Sequence, residues 1–183
     1  MRNFLPATYL DTLDALAELH SRDPASWPAR DVIGTSLLLR GPREFTPDTW
    51  LEDLPIEDLE ALTEAPALTR LLAEAQRAIM ADWKCRALLT GRIGRAMIWR
   101  LDGRTTIPWH IAEGPYHERT VRFHLPLVTN PRVLCYVQDE TLHLTQGVLC
   151  HVVKGAPQSA GNFGNSMALH LVFDMERGVT GHA

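Results

Sequence analysis

The sequence predicts an α+β protein, a double-sheet β-roll of the jelly-roll kind with N-terminal helices packed against it. Two observations carry that reading. Before about residue 80 apolar residues recur at helical spacing, and after residue 90 the period shortens to that of strands, with short runs following one another closely. The 183 residues, 45% of them hydrophobic and 22% charged, hold enough apolar material for one compact core. A single domain 1–183 is expected, with 1–90 mainly helical, 91–176 forming the roll and 177–183 a tail.

Each element has its own signal. Leu10, Leu13, Leu16, Ala17 and Leu19 make an amphipathic stripe, and Pro6 suits the first turn of that helix. Pro24, Pro28, Pro42 and Pro47 then punctuate a stretch that should wrap the core as loops, with one edge strand over Thr35 to Leu39. A second helix is expected from about Ala65 to Ala81, with Pro66 near its start and Leu68, Leu71, Leu72, Ala75 and Ile79 on one stripe. Ala96 to Leu101 leads into the turn signal Asp102-Gly103 and on to Thr105 to His110. Further strand-like runs lie at 119–128, 133–138, 141–144, 148–153 and 166–174, with a loop over 154–165.

Composition excludes several function classes. A formal net charge of −4 without any Lys/Arg run argues against a nucleic-acid surface. No run of about 18 apolar residues occurs and the first residues lack a signal-peptide core, so no membrane association and a cytoplasmic location are expected. Cys85, Cys135 and Cys150 are scattered, which fits reduced thiols better than a disulfide framework or a CxxC zinc site. The tryptophans Trp27, Trp50, Trp83 and Trp99 read as core, while Trp109, beside His110, is a candidate wall of a pocket. A homodimer is possible.

One strand carries chemistry on its face. In the run TVRFHLPLV, Arg122, His124 and Pro126 share one side and Val121, Phe123, Leu125 and Leu127 the other. A cationic pair on the inner face of a roll must be paired, with Glu113 or Glu118 as natural partners, or must face an anion. On 148–153, His151 shares a face with Leu149 and Val153 opposite Cys150 and Val152, so only one set can face the pocket, which argues against a thiolate–imidazole pair between neighbours.

The order of motifs resembles that of the aspartyl/asparaginyl β-hydroxylase family of cupin oxygenases. The residues that carry the likeness are His110, then Arg122-Phe-His124-Leu-Pro126, Thr129-Asn130-Pro131, His143-Leu144 with Gly147, and His170-Leu171-Val-Phe-Asp174. The likeness covers roughly residues 95 to 175. It implies iron(II) held by two imidazoles and often a carboxylate, with 2-oxoglutarate and oxygen at the open positions. It places His110 at the first metal position and Arg122 with His124 on the co-substrate strand.

Departures from the pattern fall on functional positions. The acid two residues beyond the first metal histidine is Ala112, and the second metal histidine, eleven residues beyond Gly147, is Gln158. The arginine that would clamp the oxo-acid is Ala168, and Val148 and Cys150 replace a Glu and a Trp. A desolvated bidentate contact of the lost kind is worth on the order of 2 kcal/mol. The resemblance therefore implies a cupin that has shed iron and 2-oxoglutarate and performs acid–base chemistry such as isomerisation, cyclisation or elimination on a small anionic metabolite. His110, His124, His170 and Glu113 are its candidate catalytic groups, and Arg122, Gln158, Trp109 and His151 its candidate ligand contacts. If the ancestral dioxygenase activity is kept, Fe(II) would sit on His110 with Gln158 or Glu113, or on His117 or His151, beside 2-oxoglutarate. A non-catalytic ligand- or protein-binding roll is the third possibility.

Overall fold

The alternation of apolar residues in the C-terminal two thirds generates two antiparallel sheets facing each other, as a computed structural model of the chain shows. It describes residues 4–22, 29–30, 34–42 and 54–178. In chain order the first elements are β1 (Phe4–Tyr9), α1 (Leu13–His20), β2 (Ala29–Arg30), β3 (Gly34–Gly41), β4 (Glu57–Asp58), α2 (Glu60–Thr63), α3 (Pro66–Ala81) and α4 (Trp83–Leu88). The roll continues through β5 (Leu89–Leu101), β6 (Thr105–His110), α5 (Pro115–Glu118), β7 (Thr120–Val128) and β8 (Val133–Val137). It ends with β9 (Glu140–Leu142), β10 (Val148–Val152), β11 (Gln158–Asn162) and β12 (Ala168–Arg177).

The larger sheet runs β1-β10-β7-β12-β5-β3-β2, with β4 paired to β3, and the smaller runs β6-β11-β8-β9. Strands of the larger sheet split their side chains between two cores. Leu125, Leu127, Leu171 and Phe173 meet Leu68, Leu71, Leu72 and Ile79 of α3 in a dry layer between sheet and helices. Met97, Trp99, Val152 and Val172 point the other way and meet Ile107, Cys135, Val137 and Ala160 of the smaller sheet inside the roll. Period-2 alternation is thus satisfied on both sides, since each face of the larger sheet has a partner layer.

The structure departs from the sequence expectation in particular places. Residues 4–9 are an edge strand on β10 and not the lead-in to a helix, and Pro6 lies at a register irregularity of that edge, where a missing N–H costs little. The helix begins only at Leu13. With β3 paired to β5, the first 90 residues also extend the larger sheet and are less helical than expected. The stretch 158–162, expected within a loop, is a central strand of the smaller sheet. Its sequence QSAGN has neither β-branched nor aromatic residues, so its strand character comes from pairing on both edges. Trp27, Trp50, most of the proline-rich loop and the tail beyond 178 lie outside the described residues.

Candidate functional site

A cavity of about 60 Å³ opens between the sheets. Its walls are mainly apolar, from Met97, Trp99, Ile107, Val137, Val152 and Val172, and its polar groups come from His110, Arg122, His124, Tyr136, Gln158 and Ser159. By the scale on which roughly 10–15 Å³ holds a water, this is room for a small molecule.

His110 faces the cavity because β6 is irregular. Gln158 pairs with His110 and Ala160 with Ile107, so two residues, Pro108 and Trp109, stand opposite Ser159 alone. In unbroken alternation Trp109 would follow Ile107 inward and His110 would face out, and the bulge exchanges them. Trp109 is accordingly 58% exposed, its ring 6.1 Å from that of Tyr136. The Nδ1 of His110 lies 2.9 Å from the Pro108 carbonyl oxygen. A carbonyl only accepts, so Nδ1 carries the proton and Nε2 is the basic nitrogen of the neutral ring.

Gln158 sits across from His110 on one side and from Val137 on the other. It is 8% exposed, and its Nε2 has no hydrogen-bond partner among the described residues. Opposite, Arg122 and His124 are the residues of β7 that line the cavity, beside Met97, Trp99, Val152 and Val172 of the same sheet. His124 is half-buried at the cavity wall, and its pKa is lowered well below the ordinary imidazole value, first by desolvation and then by the neighbouring His170 and Arg122.

Behind the cavity lies a buried ionic cluster. Arg122 Nε and Nη2 donate to the two carboxylate oxygens of Asp174, each at 3.0 Å, in the fork geometry of a strong pair. Lys154 Nζ lies 3.5 Å from Asp174 Oδ1 and donates to Thr120 Oγ1, which itself donates to the Tyr116 carbonyl at 2.9 Å. Arg122 holds the Asp174 carboxyl well below the usual carboxylate range against the opposing effect of burial. Burial lowers Lys154 to about 8, with Asp174 acting in the opposite sense. His117, over the Tyr116 ring at 5.4 Å, is lowered to about 3 by burial and by Arg122. Tyr116 Oη accepts the Arg95 backbone N–H at 2.8 Å, and Gly94 permits this approach, because a Cβ there would come within 2.7 Å of that oxygen.

Several sequence expectations need correction. Arg122 is paired with Asp174, not with Glu113 or Glu118, because β7 and β12 are neighbours and put the two residues in register. Glu113 is exposed on the turn after β6 and does not line the cavity. His151 faces the helical side, with its ring 5.7 Å from Phe123, since Cys150 and Val152 take the interior. Trp109 faces solvent and walls nothing. His170 is completely buried one ring behind the cavity, 5.2 Å from Trp99 and 6.0 Å from His124, and Ala168 packs in the interior core without reaching the cavity. The structure therefore brings His110, Arg122, His124 and Gln158 together. Sequence reasoning gave no role to Asp174, Lys154 or Tyr116. Asp174 was within reach of it, since it shares strand parity with His170.

Residues 56–178 match the family model described as aspartyl/asparaginyl beta-hydroxylase. The chain belongs to that family. Comparison with curated proteins finds no match. Among solved structures, a prolyl-4-hydroxylase from Pseudomonas putida aligns over 97% of this chain and 94% of its own, with TM-score 0.64 at 15% identity. An oxidoreductase of the 2OG-Fe(II) oxygenase family from Burkholderia pseudomallei aligns over 94% and 84%, with TM-score 0.61 at 15% identity. A non-heme monooxygenase solved as its nickel complex aligns over 96% and 74%, with TM-score 0.50 at 13% identity. These likenesses establish the fold, a roll of the kind used by the oxygenases.

The aspartyl/asparaginyl β-hydroxylase family implies an iron site, so the donors of this chain must be tested against one. Facing His110 across the strand pair is a carboxamide, and a neutral amide is a poor ligand for iron(II) beside imidazole and carboxylate. Among the described residues no three His, Cys, Asp or Glu side chains gather where one ion could touch them. The residues present do not fit a facial triad. Arg122, on the co-substrate strand, has Nε and Nη2 committed to Asp174.

Proposed function

We propose that this family member binds a small anionic metabolite inside the roll and acts on it by acid–base chemistry, an isomerisation, cyclisation or elimination, without iron or 2-oxoglutarate. The observation that carries the reading is the His110–Gln158 pairing, which puts one imidazole and one amide where a metal centre needs several strong donors. At the cavity wall, His110 offers a basic Nε2 and acts as the proton acceptor and donor. The anionic preference is supported by the cluster behind Arg122, where Arg122 and Lys154 share the single carboxylate of Asp174. Arg122 Nη1 takes no part in that pair and is the donor left for a ligand. His124, kept neutral by burial, adds no charge of its own.

Elemental analysis after anaerobic iron loading, with a succinate-release assay on candidate substrates, tests the reading. The expected outcome is no stoichiometric iron and no succinate. Near one iron per chain, with succinate formed and then lost in His110→Ala, would overturn it in favour of a working dioxygenase with an unusual ligand set.

A further inference from the structure

Gln158 is the feature of the cavity that the acid–base reading leaves without a task. The residue is 8% exposed, it lines the cavity, and its Nε2 finds no acceptor among the described residues. A buried amide donor left unmade carries the full cost of its desolvation. The neighbours offer no relief. Ser159 Oγ turns its proton to the Ile107 carbonyl at 2.7 Å and His110 Nδ1 lies against that of Pro108, and neither side chain is placed to accept from Gln158 Nε2. Most of the remaining wall is hydrocarbon, so the donor stands isolated in an apolar surround, where a single well-placed hydrogen bond fixes orientation.

We propose that Gln158 is a recognition residue whose Nε2–H receives an uncharged carbonyl oxygen of the ligand, so that the preferred ligand is a short, largely hydrocarbon acid carrying a carbonyl at a distance from its carboxylate. The inference rests on the acid–base reading above for the anionic end of the ligand. Gln158 and Arg122 stand on facing sheets, β11 and β7. A ligand that reaches both therefore has its two oxygen functions at opposite ends, with a hydrocarbon middle against Val137, Val152 and Val172. His110, cross-strand from Gln158, then lies beside the carbon next to that carbonyl. The amide is more than a vestige of a lost metal site, because it supplies the donor that selects one oxygen and turns its neighbouring carbon toward the imidazole. This also accounts for an amide rather than an apolar residue at a position whose Nε2 has no partner among the described residues.

The test compares two probes of nearly equal shape, 4-oxopentanoate and pentanoate, by calorimetric titration of the full chain and of Gln158→Leu and Gln158→Glu. The expected result is that 4-oxopentanoate binds the native protein about tenfold more tightly than pentanoate, the size of one neutral hydrogen bond made in a dry site. In both variants that preference disappears. Gln158→Leu should also leave the free protein as stable as the native chain or more stable, because an unpaired donor is removed. A purely structural glutamine would instead lose stability on the same change, and that outcome overturns the inference. Equal binding of the two acids by the native protein also overturns it while leaving the acid–base reading in place. If neither acid binds, the anionic reading fails and this inference falls with it. Should Gln158→Leu not fold, Gln158→Glu carries the test, being near-isosteric and able to present an acceptor where the donor was.

Discussion

At the scale of single residues, the Arg122–Asp174–Lys154 cluster shows how burial sets the energetic stakes. Two cations depend on one carboxylate that is 1% exposed, so the cost of removing that carboxylate is the cost of leaving two enclosed charges unmatched. Asp174→Asn should therefore destabilise the fold by about 3–5 kcal/mol, measured as a lower urea midpoint at pH 7. The near-identical shape of the amide separates charge from packing. A change below about 1 kcal/mol would mean that Arg122 and Lys154 find other counter-charges. Arg122 was legible from strand parity as an inward cation and Asp174 as sharing a face with His170, but that the two meet was not, because pairing across strands depends on which strands are neighbours.

At the scale of elements, α3 and β6 illustrate two kinds of constraint. The helix has a continuous apolar stripe and Pro66 at its first turn, and its observed span, Pro66–Ala81, is close to the one its sequence announces. It packs against the side of the larger sheet that faces away from the cavity. Leu71→Ala should accordingly cost about 2–5 kcal/mol in unfolding free energy while leaving ligand binding in the folded protein unchanged. A matching loss of affinity under conditions where the variant is fully folded would show that helix packing shapes the cavity. In β6 the bulge at Pro108 and Trp109 decides which side of the sheet His110 faces, and no residue pattern in TTIPWH announces it. The proline is compatible with such a site, since it has no N–H to give to the ladder.

At the scale of the whole molecule, buried neutral histidines make the fold sensitive to mild acid. His117 and His170 are lowered to about 3 by burial, and His124 well below its ordinary value of 6.5. For each, the unfolded chain binds a proton below about pH 6.5 and the folded chain does not, so stability is full above that pH and falls as pH drops toward the folded value. The slope is about 1.4 kcal/mol per pH unit for each ring, hence roughly 4 for three. Asp174 adds its own loss only at lower pH, since its carboxyl is depressed from 3.8 and its contribution goes as pH falls below that value. Urea unfolding at pH 7, 6 and 5 should show a steadily falling midpoint below about 6.5. In His170→Phe, which keeps a ring beside Trp99 and removes two nitrogens without partners among the described residues, the fall should be shallower by one ring's share. An unchanged midpoint between pH 7 and 5 would mean that these imidazoles are protonated in the folded protein.

What the sequence determined by itself was whatever rests on local period and on residue chemistry. The stripe of α3, the two faces of β7, the Asp102-Gly103 turn and the order of the motifs from His110 to Asp174 were all visible there, and with them the roll and the family. The tertiary structure alone decided which of these residues meet. Gln158 is cross-strand from His110 because β11, a segment without strand propensity, is held between β6 and β8. Asp174 neutralises Arg122 because β12 lies against β7, and Glu113, nearer in sequence, stays in solvent. His170 stops one ring short of the cavity behind Trp99 and His124. The physical reason is common to all three. Period assigns a side chain to a face, but the depth it occupies and the charge it finds there depend on neighbouring strands, register and bulges, which are set by packing over the whole roll.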